Sequence, residues 1–213
     1  MANFDLVWKD TANFEKGFQN NPKDAGNYCK GALIGTNRGI SAIGWAQYNK
    51  NVCPSITQIK NLTEAEAKKI AKHQYWDDIY GDNFKTQGIA HVAFDMAFGG
   101  SSGPLQIRET INQFKPGAVK EYRSMGLEKK EVDLINRFDQ KKFFDALVAR
   151  RAKYLATIEG FDGLQTRLNT LKTKYESSIV PDFTQKHTII IAALSAVALI
   201  SIGLTIFIPK LKN

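Results

Sequence analysis

Glu15 and Asp24 stand nine residues apart with an Asn20-Asn21-Pro22 turn signal between them. Upstream, Phe4, Val7, Trp8, Phe14 and Phe18 recur at three- and four-residue spacings, the period of an amphipathic helix. Gly17 is a helix stop signal just past Glu15. The pattern predicts Glu15 on the last turn of a packed helix and Asp24 on a nearby turn facing back toward it. A rigid acid with a second carboxylate across a cleft is the arrangement that glycosidic bond cleavage requires, one group protonating the leaving oxygen and the other handling water or the sugar cation. A helix-end Glu and a turn Asp are also ordinary surface features, so spacing alone does not decide between the two.

More of the chain bears on that choice. The run from Glu15 through Gly17, Phe18, Asp24 and Gly26, followed by Thr36, Gly39, Ile40 and Ser41, resembles the signature of glycoside hydrolase family 108, the bacterial and phage N-acetylmuramidases. Lys16 stands where that signature has its first glycine, and Tyr28 to Gly35 form an insertion between Asp24 and Thr36. The resemblance implies Glu15 as catalytic acid, with Asp24 and Thr36 as its companions. The charge on Lys16 would favour the ionised form of Glu15. The Tyr75-Trp76-Asp77 element and the Asp95-x-Ala97 pattern also resemble the family, although Gly99 stands where an asparagine is expected. Phe161 to Leu168 is similar to the end of the family's companion peptidoglycan-binding region, with Leu164 in place of a tryptophan.

The elements around these residues are legible in part. Residues 25 to 57, rich in Gly, Asn and Thr, read as loop plus a small β hairpin. Thr36 and Ser41 there could hold a water or a sugar hydroxyl, and Tyr28 and Trp45 could stack on sugar faces or simply pack. Thr63 and Glu66 form a capping box that opens a helix running to about Tyr80. Trp76 near its end reads first as a core anchor and second as cleft lining. Ile89 to Phe98 is apolar on nearly all sides, a central buried helix, with Asp95 inside it as a structural clamp or a group behind the cleft. Pro104 opens the next helix, and helical periodicity then continues to about Ile179. His91 reads as a satisfied core or surface histidine rather than an acid–base group.

The chain has 213 residues, 43% of them hydrophobic, and a formal net charge of +8. That basic balance suggests an anionic partner. No zinc-finger spacing or RNA-binding aromatic motif supports nucleic acid, so peptidoglycan and anionic lipid are the expected partners. Cys29 and Cys53 could be bridged or reduced; neither a CxxC motif nor a ligand cluster suggests a structural zinc, and catalysis by two carboxylates needs no cofactor. The first twenty residues lack the apolar core of a cleavable signal peptide. Thr188 to Ile208 is 21 residues without a charge, long enough to span a bilayer.

The expected protein is mainly α: a lysozyme-like muramidase domain with a small β hairpin over residues 1–103 and a helical peptidoglycan-binding-like region over 104–179. A linker over 180–187 leads to a transmembrane helix over 188–208. The expected activity is cleavage of the β-1,4 bond between N-acetylmuramic acid and N-acetylglucosamine by Glu15, Asp24 and Thr36, as suits a phage or prophage lysis enzyme. Tyr28, Ser41, Trp45, Trp76 and Asp95 are the candidate substrate-binding residues. The rival is a non-catalytic, membrane-tethered wall-binding or secretion-assisting protein on the same scaffold. The side of the membrane stays open: absence of an export signal suggests a cytoplasmic domain, whereas Lys210 and Lys212 at the tail favour the opposite orientation.

Overall fold

A computed structural model describes residues 1–14, 17–100, 102–158 and 162–179. Glu15, Lys16, the linker and the expected span at 188–208 lie outside them. Among the described residues no helix is long and apolar enough to cross a membrane.

The protein is mainly helical with a small antiparallel sheet. Helix α1 (Phe4–Phe14) buries Phe4, Val7, Trp8 and Thr11, as its spacing predicts. Five two-residue strands follow. β1 (Phe18–Gln19), β4 (Thr36–Asn37) and β5 (Ile40–Ser41) form a three-stranded antiparallel sheet in the order β1-β4-β5, while β2 (Tyr28–Cys29) pairs with β3 (Ala32–Leu33) as a separate hairpin. Gly35, at φ +122°, allows β1 to approach closely; a Cβ there would lie 2.6 Å from the Gln19 carbonyl oxygen and 2.7 Å from the Phe18 ring.

The stretch after β5 corrects the expectation of loop and hairpin throughout residues 25 to 57. Ala42–Tyr48 is helix α2 and Ile56–Lys60 is helix α3. Ser41 Oγ accepts from Gly44 N and caps the first, and a full capping box between Ser55 and Gln58 opens the second. Gly44 weakens the local helix signal, yet Ala42, Gly44 and Ala46 form the buried face, where small residues permit close packing.

The capping box of Thr63 and Glu66 opens α4 (Glu64–Ala71), which passes through a π-helical turn at Lys72–Trp76. Next come α5 (Gln87–Phe98), α6 (Ser102–Phe114), α7 (Lys129–Ile135), α8 (Gln140–Leu155) and α9 (Asp162–Glu176). An irregular connection over 115–128 interrupts the expected run of helix.

Helix α5 is the axis of the fold and packs against α1, α6, α8 and α9. Every residue from Gly88 to Ala97 is buried. Each of Ile89, Val92, Phe94 and Met96 contributes about 1.5–3 kcal/mol by leaving water. One core runs from Ala2 to Ile179, crossing the expected boundary at 103/104. The described residues form one compact unit.

A smaller cluster of Cys29, Ile34, Ala42, Ala46 and Ile59 underlies the strands. There Cys29 and Cys53 form a disulfide with Cα atoms 5.8 Å apart, tying β2 to the segment before α3. No free cysteine remains.

Candidate active site

The strand register sets up the site. Gln19 pairs with Thr36, and Thr36 pairs with Ser41. Directly opposed residues share a sheet face, so Gln19, Thr36 and Ser41 form a polar row across three strands. The opposite face carries Phe18, Asn37 and Ile40, of which Asn37 and Ile40 are buried. The polar row lines a cleft of about 560 Å³ together with Asp24, Gly26, Gly44 and Tyr75, and Phe98, Gly99, Gly100, Met125 and Leu164 are also in its lining.

Asp24 is held by the backbone it caps. It precedes a 3-10 turn at Ala25–Asn27, and its Oδ1 accepts from Gly26 N at 2.9 Å. Its Oδ2 accepts from Gln19 Nε2 at 3.0 Å. The same Nε2 donates to Asn27 Oδ1 at 3.2 Å, and Thr36 Oγ1 donates to that oxygen at 2.7 Å. Buried Asn27 returns a bond from Nδ2 to Gln19 Oε1 at 2.8 Å and a second to the Asn21 carbonyl at 2.9 Å. Thr36 and Asp24 therefore belong to one network running through Asn27 and Gln19. Because the Thr36 proton is directed to Asn27, its oxygen remains an acceptor for another group.

Two glycines bring the remaining hydroxyls in. A Cβ on Gly26 would lie 3.2 Å from Asp24 Oδ1 and 3.3 Å from Ser41 Cβ, so a larger residue there would press on both side chains. A Cβ on Gly44 would lie 2.8 Å from Tyr75 Oη and 3.4 Å from Ser41 Oγ. Burial, followed by the charge of Asp78, pushes the Tyr75 phenol up to about 12. It is therefore protonated at neutral pH and can donate a hydrogen bond.

Of the sequence candidates, the cleft gathers Asp24, Thr36 and Ser41. Helix α1 ends at Phe14, immediately before Glu15, whose own placement lies outside the described residues. Tyr28 and Trp45 are not in the lining: the Tyr28 hydroxyl donates to the Pro22 carbonyl at 3.1 Å, and Trp45 packs against both hydrophobic clusters.

Trp76 is a core residue and has no surface to offer a sugar. It is fully buried, donates from Nε1 to Asp82 at 2.8 Å, and stacks obliquely on Phe4 at 5.6 Å. Asp95 likewise contacts no solvent-facing groove. It is buried between α8 and α9, paired with Arg167 and lying 4.0 Å from Arg151, and so takes the role of a structural clamp.

His91 is also buried, 3.1 Å from the Tyr175 hydroxyl and 3.7 Å from Asp10. Desolvation pushes its imidazole down to about 4, more than Asp10 and Asp95 raise it. Among the described residues no three of His, Cys, Asp and Glu gather as a metal site.

The sequence does not mark Gln19, Asn27 or Tyr75 as site residues. The alternation of Phe18 and Gln19 could have marked Gln19 as facing away from the core. Asn27 and Tyr75 carry no such local signal, because their partners are set by tertiary pairing.

Residues 8–100 match the family model described as glycosyl hydrolase 108. That segment contains every polar residue of the cleft described above. No curated protein sequence matches the chain. Among solved structures, the chain is similar to SagA of Brucella abortus, with a TM-score of 0.65 at 19% identity, covering 83% of this chain and 94% of that one. The likeness extends past the segment matched by the family model, and it is one of fold.

Proposed function

We propose that the protein is a glycoside hydrolase of cell-wall peptidoglycan, an N-acetylmuramidase cleaving the β-1,4 bond between N-acetylmuramic acid and N-acetylglucosamine. The observation that carries this reading is the Asp24–Gln19–Asn27–Thr36 network lining a cleft inside the segment similar to glycosyl hydrolase 108. Glu15 acts as general acid, protonating the glycosidic oxygen. Asp24 is the second carboxylate: it accepts a proton from the attacking water or stabilises the oxocarbenium-like transition state. Thr36, with its own proton committed to Asn27, accepts a hydrogen bond from that water and orients it. Gln19 and Asn27 are positioning residues, since their bonds fix the directions of the Asp24 and Thr36 oxygens.

The test is digestion of purified peptidoglycan by the full chain and by Glu15→Gln, Asp24→Asn and Thr36→Val, with mass spectrometry of the soluble fragments. New muramic acid reducing ends are expected from the parent. Glu15→Gln should lose roughly 10²–10⁴-fold in rate, the usual contribution of general acid catalysis.

A second reading rests on two departures in the cleft: its wall is apolar at Leu164, where the resemblance expects a tryptophan, and the lining has Gly99 where it expects an asparagine. Those departures suit a protein that binds the wall without cutting it. Wall binding by parent and variants alike, without new reducing ends, would establish that reading and reject the hydrolase.

In this proposal residues 188–208 anchor the protein in a membrane. The Cys29–Cys53 disulfide suits an oxidising compartment, and the basic tail suits the cytoplasmic side; both support a catalytic unit on the outer face. Digestion of that unit by protease added to intact cells is expected, and protection until the membrane is permeabilised would reverse the orientation.

A further inference from the structure

A second groove, of about 340 Å³, lies between α6 and α8 and shares no lining residue with the cleft. Two buried polar atoms on its walls have no hydrogen-bond partner among the described residues. Gln106 is 5% exposed; its Nε2 donates to the Ser102 carbonyl at 3.1 Å, which leaves Oε1 buried and unpaired. Across the groove, Arg150 Nη1 donates to Glu109 at 2.8 Å, while its Nε is buried and unpaired. Buried polar groups are nearly always satisfied. Here one acceptor and one donor go unmet on facing helices of the same groove.

An amide group offers the complement, an N–H for Gln106 Oε1 and a carbonyl for Arg150 Nε. The rim adds charge: Arg123 and Lys153 are exposed and form no ion pair with a described residue, whereas Glu109 is already engaged by Arg150. Leu105 and Tyr154 supply half-buried apolar surface between these polar groups. We propose that this groove binds a short acidic peptide, with an amide held by Gln106 and Arg150 and a carboxylate held by Arg123 and Lys153.

The test is an NMR titration of the full chain in detergent with N-acetyl-alanyl-glutamate, with the same dipeptide as its diamide, and with sodium sulfate. Saturable binding of the acidic peptide is expected, with resonance shifts on α6 and α8. Loss of the carboxylates, Gln106→Leu, and Lys153→Ala should each weaken binding roughly tenfold, the scale of one lost hydrogen bond or ion contact. Lys153 is exposed, so its variant carries the result even if Gln106→Leu folds poorly.

Absence of saturable binding would overturn the proposal. So would sulfate binding as well as the peptide with no response to Gln106→Leu, since that describes a charge patch only. Shifts centred on the cleft would overturn it as well. Asp24→Asn should leave peptide binding unchanged, which keeps this result separate from the fate of the hydrolase reading.

Discussion

Asp95→Ala should unfold the protein far more readily than a surface substitution, and without acting through substrate contacts. Asp95 is 2% exposed and lies between the guanidinium groups of Arg151 and Arg167. Those side chains come from α8 and α9, so the carboxylate joins three helices at the core of the fold. Its removal leaves Arg151, itself 1% exposed, beside Arg167 with no counter-charge from α5. Breaking a buried ion pair by deleting one partner costs about 3–5 kcal/mol, a large share of the roughly 5–15 kcal/mol that holds a domain folded.

With a urea slope of about 2 kcal/mol/M, the unfolding midpoint should fall by about 1.5–2.5 M. Far-UV circular dichroism along a urea series measures it. Peptidoglycan cleavage by the fraction still folded should keep the parent KM, because the side chain faces helices and not the cleft. A midpoint shift corresponding to less than about 1 kcal/mol, accompanied by a raised KM, would refute the clamp and restore Asp95 as a substrate ligand.

Other expectations follow from single features. Reducing the Cys29–Cys53 bond, which closes a sequence separation of 24, should cost about 3 kcal/mol; thermal melts with and without dithiothreitol measure it, and unchanged melts would show that the hairpin needs no tether. His91, pushed down to about 4 by burial, should make stability fall as pH drops from about 6.5 to about 4. In that window the unfolded chain takes up a proton that the folded one refuses. The loss totals roughly 3 kcal/mol, and urea midpoints for the parent and His91→Phe across that range should diverge; parallel curves would contradict the buried neutral imidazole. Gly81→Ala places a Cβ 2.1 Å from the Trp76 ring, and overpacking of about 1–3 kcal/mol should lower the melting temperature by roughly 2–12 °C. An unchanged melting temperature would mean that the Trp76 pocket yields.

The sequence by itself determined those features whose cause lies within a few residues. The helix of Phe4, Val7 and Trp8 follows from apolar period, and α4 begins at Thr63 because Thr63 and Glu66 satisfy each other's backbone amides. Burial of α5 follows from its lack of a polar face, and the turn at Asp24 from a side chain that bonds the amide two residues on. Where cause lay at long range, the sequence left the outcome open or misread. Residues 42–48 look like loop, because Gly44 lowers helix propensity and the sequence does not reveal that Tyr75 packs where a larger side chain would stand. Cys29 and Cys53 could be read as bridged or free until β2 and the approach to α3 were brought together.

Only the tertiary structure decided the makeup of the cleft. Asp24, Thr36 and Ser41 carried a local signature. Gln19 joined them because strand register set it beside Thr36, and Tyr75 because the turn after α4 aimed it at Gly44. It also placed Trp76 and Asp95 in the core, away from the cleft. Both have the chemistry to meet a sugar, but each is fully enclosed by helices distant in the chain, and which face of a residue meets water is fixed by packing rather than by its neighbours in sequence.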